Sequence, residues 1–188
     1  MRIAIIGATG YVGAAILQEA LSRGHDVTAI VRHVEKLPAH PKLAPKAADV
    51  ADVAALAAAF AGCEAVIHAY APPRDLDVAT RIAAQRQGTR AILDAMKRSG
   101  VARILAVGGA GTLLVPGGGR NMDQPDFPKE WEGGAKSTAE VKEMLKAEPG
   151  IAGTFLSPSH QLVPGERTGK FRLGRDDMLV GPDGESRI

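Results

Sequence analysis

Cysteine, aromatic residues and long apolar runs are all scarce in this sequence of 188 residues. The one cysteine, Cys63, cannot form an internal disulfide bond, which fits a reducing cytoplasm. Aromatic residues make up 4% of the chain, too few for the stacking platforms that bind single-stranded nucleic acid. The apolar runs are too short for a signal peptide or a membrane span. We therefore expect a cytoplasmic protein that binds neither membranes nor nucleic acid.

Excess charge of either sign is also missing, because 23 Lys and Arg residues face 21 Asp and Glu residues. A net charge of +2 fits a protein that acts on small molecules. The length suffices for one compact domain, residues 1–188, whose core needs neither disulfide nor metal. His25, His33 and His40 lack the spacing of metal ligands, so no metal site is predicted.

What the chain does contain is an alternation of apolar, strand-length runs with helical patterns. The pattern predicts strands at 2–6, 26–31, 65–69, 103–107 and 151–156, with a short one near Ala47. Helices are predicted at 12–22, 52–60, 78–98 and 136–147. Strands separated by helices pair in parallel, and strands buried on both faces are continuously apolar. The sequence therefore predicts a doubly wound α/β (Rossmann) fold, a mostly parallel sheet with helices on both faces.

A glycine-rich turn links the first predicted strand to the first helix, with the sequence Gly7-Ala8-Thr9-Gly10-Tyr11-Val12-Gly13. In this context Gly7 permits a tight turn, Gly10 admits a pyrophosphate and Gly13 lets the helix pack closely on the strand. The helix N–H groups and dipole then face the phosphates. The alternative is a βα turn that binds no ligand. The motif favours a nicotinamide dinucleotide site.

The residue that ends the second strand selects between the two nicotinamide cofactors. NAD enzymes usually carry Asp or Glu there to bind the ribose hydroxyls, whereas this chain carries Arg32. A guanidinium can pair with a 2′-phosphate in bidentate fashion. Arg32 therefore favours NADP(H) over NAD(H), the alternative being a solvated surface arginine.

Further cofactor contacts are expected where the other strands end. Asp49 and Val50 are predicted near the adenine, although Asp49 could instead cap the next helix. The remaining predicted cofactor residues follow strands four, five and six: His68, Ala69, Tyr70, Gly108, Gly109, Ser157 and Pro158.

Many reductases of this fold use a Tyr and a Lys four residues apart to donate a proton to a carbonyl. The two tyrosines here, Tyr11 and Tyr70, are followed four residues later by Ala15 and Arg74. Trp131 and Lys136 occupy the approximate region of the pair, but an indole cannot transfer a proton. A flavin, a quinone or a similar conjugated acceptor needs less acid catalysis, because it delocalises the added electrons. The missing pair therefore favours such an acceptor.

The acceptor pocket is predicted between two loops beyond strands five and six, residues 108–127 and 157–172. His160 in the second loop is the remaining candidate for a catalytic acid, since histidine titrates near neutral pH. The alternative for His160 is an exposed loop residue. Cys63 has no His partner nearby in sequence and is interpreted as inert.

Several segments carry a family resemblance that spans nearly the whole chain: 3–10, 27–32, 107–111, 123–128, 154–158 and 164–172. With these segments the chain resembles the atypical short-chain dehydrogenases that bind NAD(P)H, and more narrowly the bacterial NADH–flavin reductases. It is more distantly similar to the biliverdin reductase B / flavin reductase group. The resemblance implies NAD(P)H binding at Gly7, Thr9, Gly10, Tyr11, Val12 and Arg32, with flavin as a substrate rather than a bound prosthetic group.

Members of that family usually continue past the position of Ser186-Arg187-Ile188 into a further helix. This sequence ends there. The departure from the family pattern concerns three features that the further helix would contribute to: the layer that covers the sheet, the acceptor site and a dimer surface. Whether the chain is a monomer or a homodimer stays open.

Two functions are consistent with these features. The first is an NAD(P)H-dependent reductase that transfers hydride to a small conjugated acceptor. The second is a non-catalytic, NADP-binding redox sensor, which the missing proton donor also favours. A sugar-nucleotide epimerase is a more distant third, because those enzymes depend on the tyrosine.

Overall fold

The computed structural model describes residues 1–187 of the chain, in which strands and helices alternate. In chain order the elements are β1 (Arg2–Ile6), α1 (Tyr11–Ser22), β2 (Asp26–Val31), β3 (Leu43–Ala47), α2 (Val53–Phe60), β4 (Ala65–His68), α3 (Val78–Ser99), β5 (Arg103–Val107), α4 (Lys129–Ala147) and β6 (Ala152–Leu156). Within these residues the strands form one sheet of six, in the order β3-β2-β1-β4-β5-β6. Every neighbouring pair is parallel. The predicted doubly wound fold is confirmed, with the strand order of a Rossmann sheet.

The strand order reverses at β1, which lies between β2 and β4. The chain builds outward from β1 to β3 and then returns to add β4 on the opposite side. The connections therefore diverge beyond the carboxyl ends of β1 and β4, leaving a crevice at that edge.

Helices cover the two faces of the sheet unequally. On one face α2, α3 and α4 bury side chains such as Phe60, Ile92 and Val141 against the strands. On the other face α1 packs through Leu17 and Leu21 on β1 and β2. No helix within residues 1–187 covers this second face over β6, where Leu156 is 47% exposed.

The third strand contains Pro45, a residue that breaks most strands. The carbonyl oxygen of Lys42 accepts from Val27 of β2, and the nitrogen of Ala48 donates to Val31 of β2. Since the backbone groups of a strand point alternately to either side, the even-numbered residues of β3 face β2 and the nitrogen of Pro45 faces away from it. Since β3 lies at the edge of the sheet, the missing N–H removes no hydrogen bond between strands.

The fourth helix differs most from the sequence prediction. It begins at Lys129, whereas the pattern predicted a start at residue 136. The glycine pair Gly133-Gly134 disfavours a helix by propensity. In the structure Gly133 faces α3, and a Cβ built on it would lie 3.2 Å from Cγ2 of Val78. Close packing of α3 on α4 therefore outweighs the low helix propensity of the glycines.

Candidate functional site

A cavity of about 780 Å³ opens at the carboxyl edge of the sheet, in the crevice beside β1 and β4. Small-molecule and cofactor sites typically enclose about 300–1,000 Å³. The cavity is lined by most of the cofactor residues predicted from the sequence: Gly7, Thr9, Gly10, Tyr11, Val12, Arg32, Asp49, Val50, His68, Ala69, Tyr70 and Gly108. The lining does not include the other predicted residues: Gly13, Gly109, Ser157, Pro158 and His160.

The turn after β1 is closed so tightly that only glycine fits at two positions. Gly7 has a φ of +80°, and a Cβ built on it would lie 2.5 Å from the carbonyl oxygen of Ala69. A Cβ on Gly13 would lie 2.0 Å from the carbonyl oxygen of Gly7. These contacts seat the start of α1 directly against the ends of β1 and β4. Gly10 is less confined, with 3.2 Å between its added Cβ and the same oxygen of Gly7.

The N-terminus of α1 has no side-chain acceptor for its backbone N–H groups. Its N-cap residue is Gly10, and its first turn contains no acidic residue. By contrast, the carboxylates of Asp52 and Asp77 cap α2 and α3. The first N–H groups of α1 therefore stay available to an anion in the cavity. This arrangement fits the pyrophosphate of a dinucleotide.

Two charged side chains, Arg32 and Asp49, line the end of the cavity next to the carboxyl ends of β2 and β3. Arg32 directly follows β2 and is exposed. Asp49 follows β3, and its Oδ1 accepts a hydrogen bond of 2.8 Å from the backbone nitrogen of Ala51. The N-cap of α2 is Asp52 rather than Asp49, so the alternative helix-capping role considered for Asp49 is wrong. Arg32 and Asp49 thus flank the end where the adenosine of a dinucleotide lies in this fold.

Tyr70 lies between this end and α3. Burial raises the pKa of its hydroxyl, the charge of Asp49 raises it further and Arg32 opposes both. The phenol is therefore protonated at neutral pH. A Cβ on Gly88 would lie 2.5 Å from Cε1 of Tyr70, so the glycine in α3 makes room for the ring. Sequence reasoning missed Gly88, for which the one available signal is a glycine inside a helical pattern.

A buried polar group supports the floor of the cavity. His68 is 2% exposed, and its Nε2 lies 3.1 Å from Oγ1 of Thr89. Gln85 donates to the same hydroxyl through Nε2 at 3.3 Å. Burial lowers the pKa of His68 to about 4, so the imidazole is neutral at physiological pH. Its Nδ1 is buried without a hydrogen-bond partner among residues 1–187.

The far end of the cavity lies between α3, α4 and the end of β5. Gly108 lines it directly after β5, Arg81 from α3, and Ser137 and Thr138 from α4. The hydroxyls of Ser137 and Thr138 both donate to the carbonyl oxygen of Gly134, at 3.0 Å and 2.7 Å. Sequence reasoning missed Arg81, Ser137 and Thr138, because only the packing of α3 on α4 brings them together.

His160 lies outside this cavity, in a cluster formed by the two predicted acceptor loops. Its Nδ1 is 3.0 Å from the amide nitrogen of Asn121, and its backbone nitrogen donates to Oγ of Ser186 at 3.2 Å. The imidazole centroid lies 5.5 Å from the indole of Trp131. Ser157 and Thr112 join the same loops through hydroxyls 3.2 Å apart. The loops therefore contact each other, while a catalytic role for His160 stays a prediction.

Lys136 and Tyr11, two residues weighed for proton transfer, are engaged elsewhere. Lys136 is exposed and pairs with Glu132 one turn earlier on α4. The hydroxyl of Tyr11 donates to the carbonyl oxygen of Leu162 at 3.4 Å. Neither group points a proton donor at the far end of the cavity.

No group of three or more His, Cys, Asp or Glu side chains within residues 1–187 is arranged to hold a metal ion. No helix of these residues combines the length and the hydropathy needed to span a bilayer.

A glycine cradle at the switch point of a parallel doubly wound sheet defines a dinucleotide-binding protein. Comparison with known proteins agrees with this class. The profile of the NAD(P)H-binding family matches residues 7–187, and the chain belongs to that family.

Similar proteins extend over the whole chain. YwnB of Bacillus subtilis strain 168, an uncharacterized protein, is 38% identical over 194 residues, covering 100% of this chain and 86% of YwnB. The crystal structure of a "putative epimerase" from Bacteroides thetaiotaomicron is 40% identical, with a TM-score of 0.88, and covers 100% and 84% of the two chains. That of a "putative NADH-flavin reductase" from Streptococcus pneumoniae TIGR4 is 31% identical, with a TM-score of 0.86, and covers 100% and 86%. The family resemblance inferred from the sequence is thereby confirmed.

Proposed function

We propose that the protein is an NADPH-dependent reductase that transfers hydride to a flavin or a similar conjugated acceptor. The observation that carries this proposal is a dinucleotide cradle whose far end, as formed by residues 1–187, holds no Tyr/Lys pair. Tyr11 is bonded to Leu162, Tyr70 lies beside Arg32 and Asp49, and Lys136 is paired with Glu132 on the surface. Carbonyl reduction would need a proton donor at that end.

Reduction of a conjugated ring makes a smaller demand on the protein. The nicotinamide supplies the hydride, which carries two electrons and one proton, and water supplies the second proton of the reduced acceptor. The task left to the chain is to hold the two rings together and to exclude side reactions. Gly108, Ser137 and Thr138 border the space for the acceptor, with small or hydroxyl-bearing side chains that leave a ring accessible. The name of the Streptococcus pneumoniae neighbour supports the same acceptor class.

The preference for NADPH is supported by the charge beside the adenosine end. Arg32 lines the cavity there, is exposed and forms no ion pair with a carboxylate of the described chain. A 2′-phosphate would meet a free guanidinium at this position.

Steady-state oxidation of NADPH with added FMN tests the proposal. We expect NADPH absorbance to fall at a rate proportional to protein concentration, above the rate without protein. Absence of turnover with FMN, riboflavin and several quinones would reject the reductase function.

A non-catalytic NADP-binding sensor is the second candidate. The observation that favours it is the absence of a titratable acid among the described residues at the far end of the cavity. Tight NADP(H) binding without turnover, together with cofactor-dependent capture of a partner protein, would favour this function. Capture that is unaffected by NADP(H) would count against it.

A further inference from the structure

We infer that the acceptor carries an anionic group, a phosphate or a carboxylate, and that Arg81 binds this group. The inference rests on the proposed function, because it names the class of acceptor that the same cavity takes.

Arg81 is positioned between two helices at the far end of the cavity. It lies in the first turn of α3, where its backbone nitrogen donates to the carbonyl oxygen of Asp77 at 2.9 Å. Its guanidinium lies over Gly134 of α4, with Nη2 at 3.6 Å and Nη1 at 3.9 Å from the position of an added Cβ. The guanidinium therefore packs against α4 at van der Waals distance beside the cavity.

No group of the described chain neutralises Arg81. Its Nε is buried without a hydrogen-bond partner within residues 1–187, and it is absent from every ion pair of that range. The next two arginines of α3 differ, since Arg86 pairs with Glu140 at 3.0 Å and Arg90 with Glu148 at 2.5 Å. A guanidinium in the wall of a cavity with no carboxylate partner keeps an uncompensated positive charge, which attracts an anion through its Nη groups.

The charged residues of the cavity lining indicate whether the protein, the cofactor or the acceptor supplies the anion for Arg81. Arg74 and Arg81 both line the cavity, and Asp49 at the adenosine end carries the one carboxylate of the described lining. The phosphates of the cofactor already have the N-terminus of α1 and the cation of Arg32. An anionic substituent on the acceptor is therefore the partner left for Arg81, and a guanidinium suits phosphate and carboxylate alike.

The experiment compares acceptors that differ in one anionic group. FMN and riboflavin share a ring and differ in the phosphate, while a naphthoquinone and its carboxylate derivative test whether a carboxylate suffices. The kcat/KM ratio of FMN to riboflavin is measured for the wild type, Arg81→Gln and Arg98→Gln. Arg98 is the matched control, because it is an exposed arginine in the last turn of the same helix and far from the cavity lining.

We expect the Arg81→Gln substitution to lower the FMN to riboflavin ratio by about 10- to 100-fold, the range for loss of a charge-assisted hydrogen bond. The ratio in Arg98→Gln should stay at the wild-type value. An unchanged ratio in Arg81→Gln would overturn the inference, as would a selective rise in its Kd for NADPH, which would assign Arg81 to the cofactor. Circular dichroism and the thermal midpoint verify that each variant is folded.

A second readout separates failure of the inference from failure of the proposed function. If the wild type reduces none of these acceptors, the reductase function fails, and equilibrium binding of FMN and riboflavin to the NADP⁺ complex then tests Arg81 directly. Tighter binding of FMN that is lost in Arg81→Gln supports the anion site. Equal binding of the two flavins, or no binding of either, rejects it.

Discussion

At the scale of single residues, the proposed preference for NADPH over NADH rests on the charge at position 32. Arg32→Ala should weaken NADPH binding by about 10- to 100-fold, since it removes a charge-assisted contact to the 2′-phosphate. NADH, which lacks this phosphate, should bind about as before. Calorimetric titration of both cofactors measures the difference. Lys36→Ala, at an exposed position on the neighbouring 3₁₀ turn, is the control. Equal losses for NADPH and NADH would refute the assignment of Arg32.

His68 should make folding stability depend on pH. Burial holds its pKa at about 4 in the folded chain, below its value of 6.5 when exposed. Unfolded chains therefore take up a proton that the folded chain does not, so stability is complete above pH 6.5 and falls as the pH drops towards about 4. The whole decrease is about 3 kcal/mol.

Urea unfolding at neutral pH and at mildly acidic pH measures this effect. His68→Gln keeps a side chain that can bond Thr89 but does not titrate, so its free energy of unfolding should vary less between the two conditions. The same pH dependence in both proteins would mean that other groups cause it.

The residues whose place in the cavity could be predicted from the sequence are those whose position is set locally. Gly7 and Gly10 form a turn between one strand and one helix, and Arg32 directly follows a strand, so short segments suffice to identify them. Arg81 and Ser137 lie 56 positions apart and meet only where α3 packs on α4. Sequence patterns of single elements contain no information about such contacts.

At the scale of elements, two glycines of the β1–α1 turn are expected to serve different purposes. Gly13 allows α1 to pack against the turn, and Gly10 leaves room for the ligand. Gly13→Ala places a Cβ 2.0 Å from backbone, so the helix must shift, and we expect a large loss of stability, roughly 2–4 kcal/mol. Gly10→Ala meets backbone only at 3.2 Å, with an extended φ of −76° that alanine accepts. It should cost little stability yet lower dinucleotide affinity, because the methyl group occupies the approach to the phosphates.

Thermal unfolding without cofactor and NADPH titration distinguish the two variants. If Gly10→Ala binds NADPH as the wild type does, the phosphates do not approach the backbone there. If Gly13→Ala is as stable as the wild type, the close approach of α1 to the turn is not needed.

The elements themselves could largely be predicted, because most strands and helices carry their own periodicity. β1, β2 and β5 have the predicted bounds. The start of α4 could not be predicted, since Gly133 and Gly134 are helical only by virtue of their contacts with α3.

At the scale of the whole molecule, the segment after β6 runs back across α1. Arg167 donates two hydrogen bonds of 2.6 Å to the carboxylate of Glu19, and Leu162 accepts from Tyr11. Arg167 and Arg23 together lower the pKa of Glu19 to about 2, so the carboxylate stays charged in mildly acidic solution. The ion pair of Arg167 with Glu19 holds the exposed stretch that contains Phe171 and Leu173 against α1.

Glu19→Gln should therefore loosen this segment. We expect trypsin to cleave the native protein after Lys170 or Arg172 a few-fold faster in the variant, because both bonds lie in exposed chain beyond the tie. Glu35→Gln, an exposed carboxylate near β2, serves as the control. Cleavage at the wild-type rate would show that other contacts hold the segment. High salt should reproduce the effect of the variant, since the ion pair is exposed.

A dinucleotide bound at the uncapped N-terminus of α1 would also affect how long the folded chain persists. Asp52 and Asp77 cap α2 and α3, whereas α1 has no side-chain cap. An anion bound there would accept hydrogen bonds from its first N–H groups. A bound dinucleotide would then serve as part of the architecture, adding about 2.7 kcal/mol at a concentration of 100 times its Kd. The supply of nicotinamide nucleotide in the cell would thereby influence how much of this protein survives proteolysis.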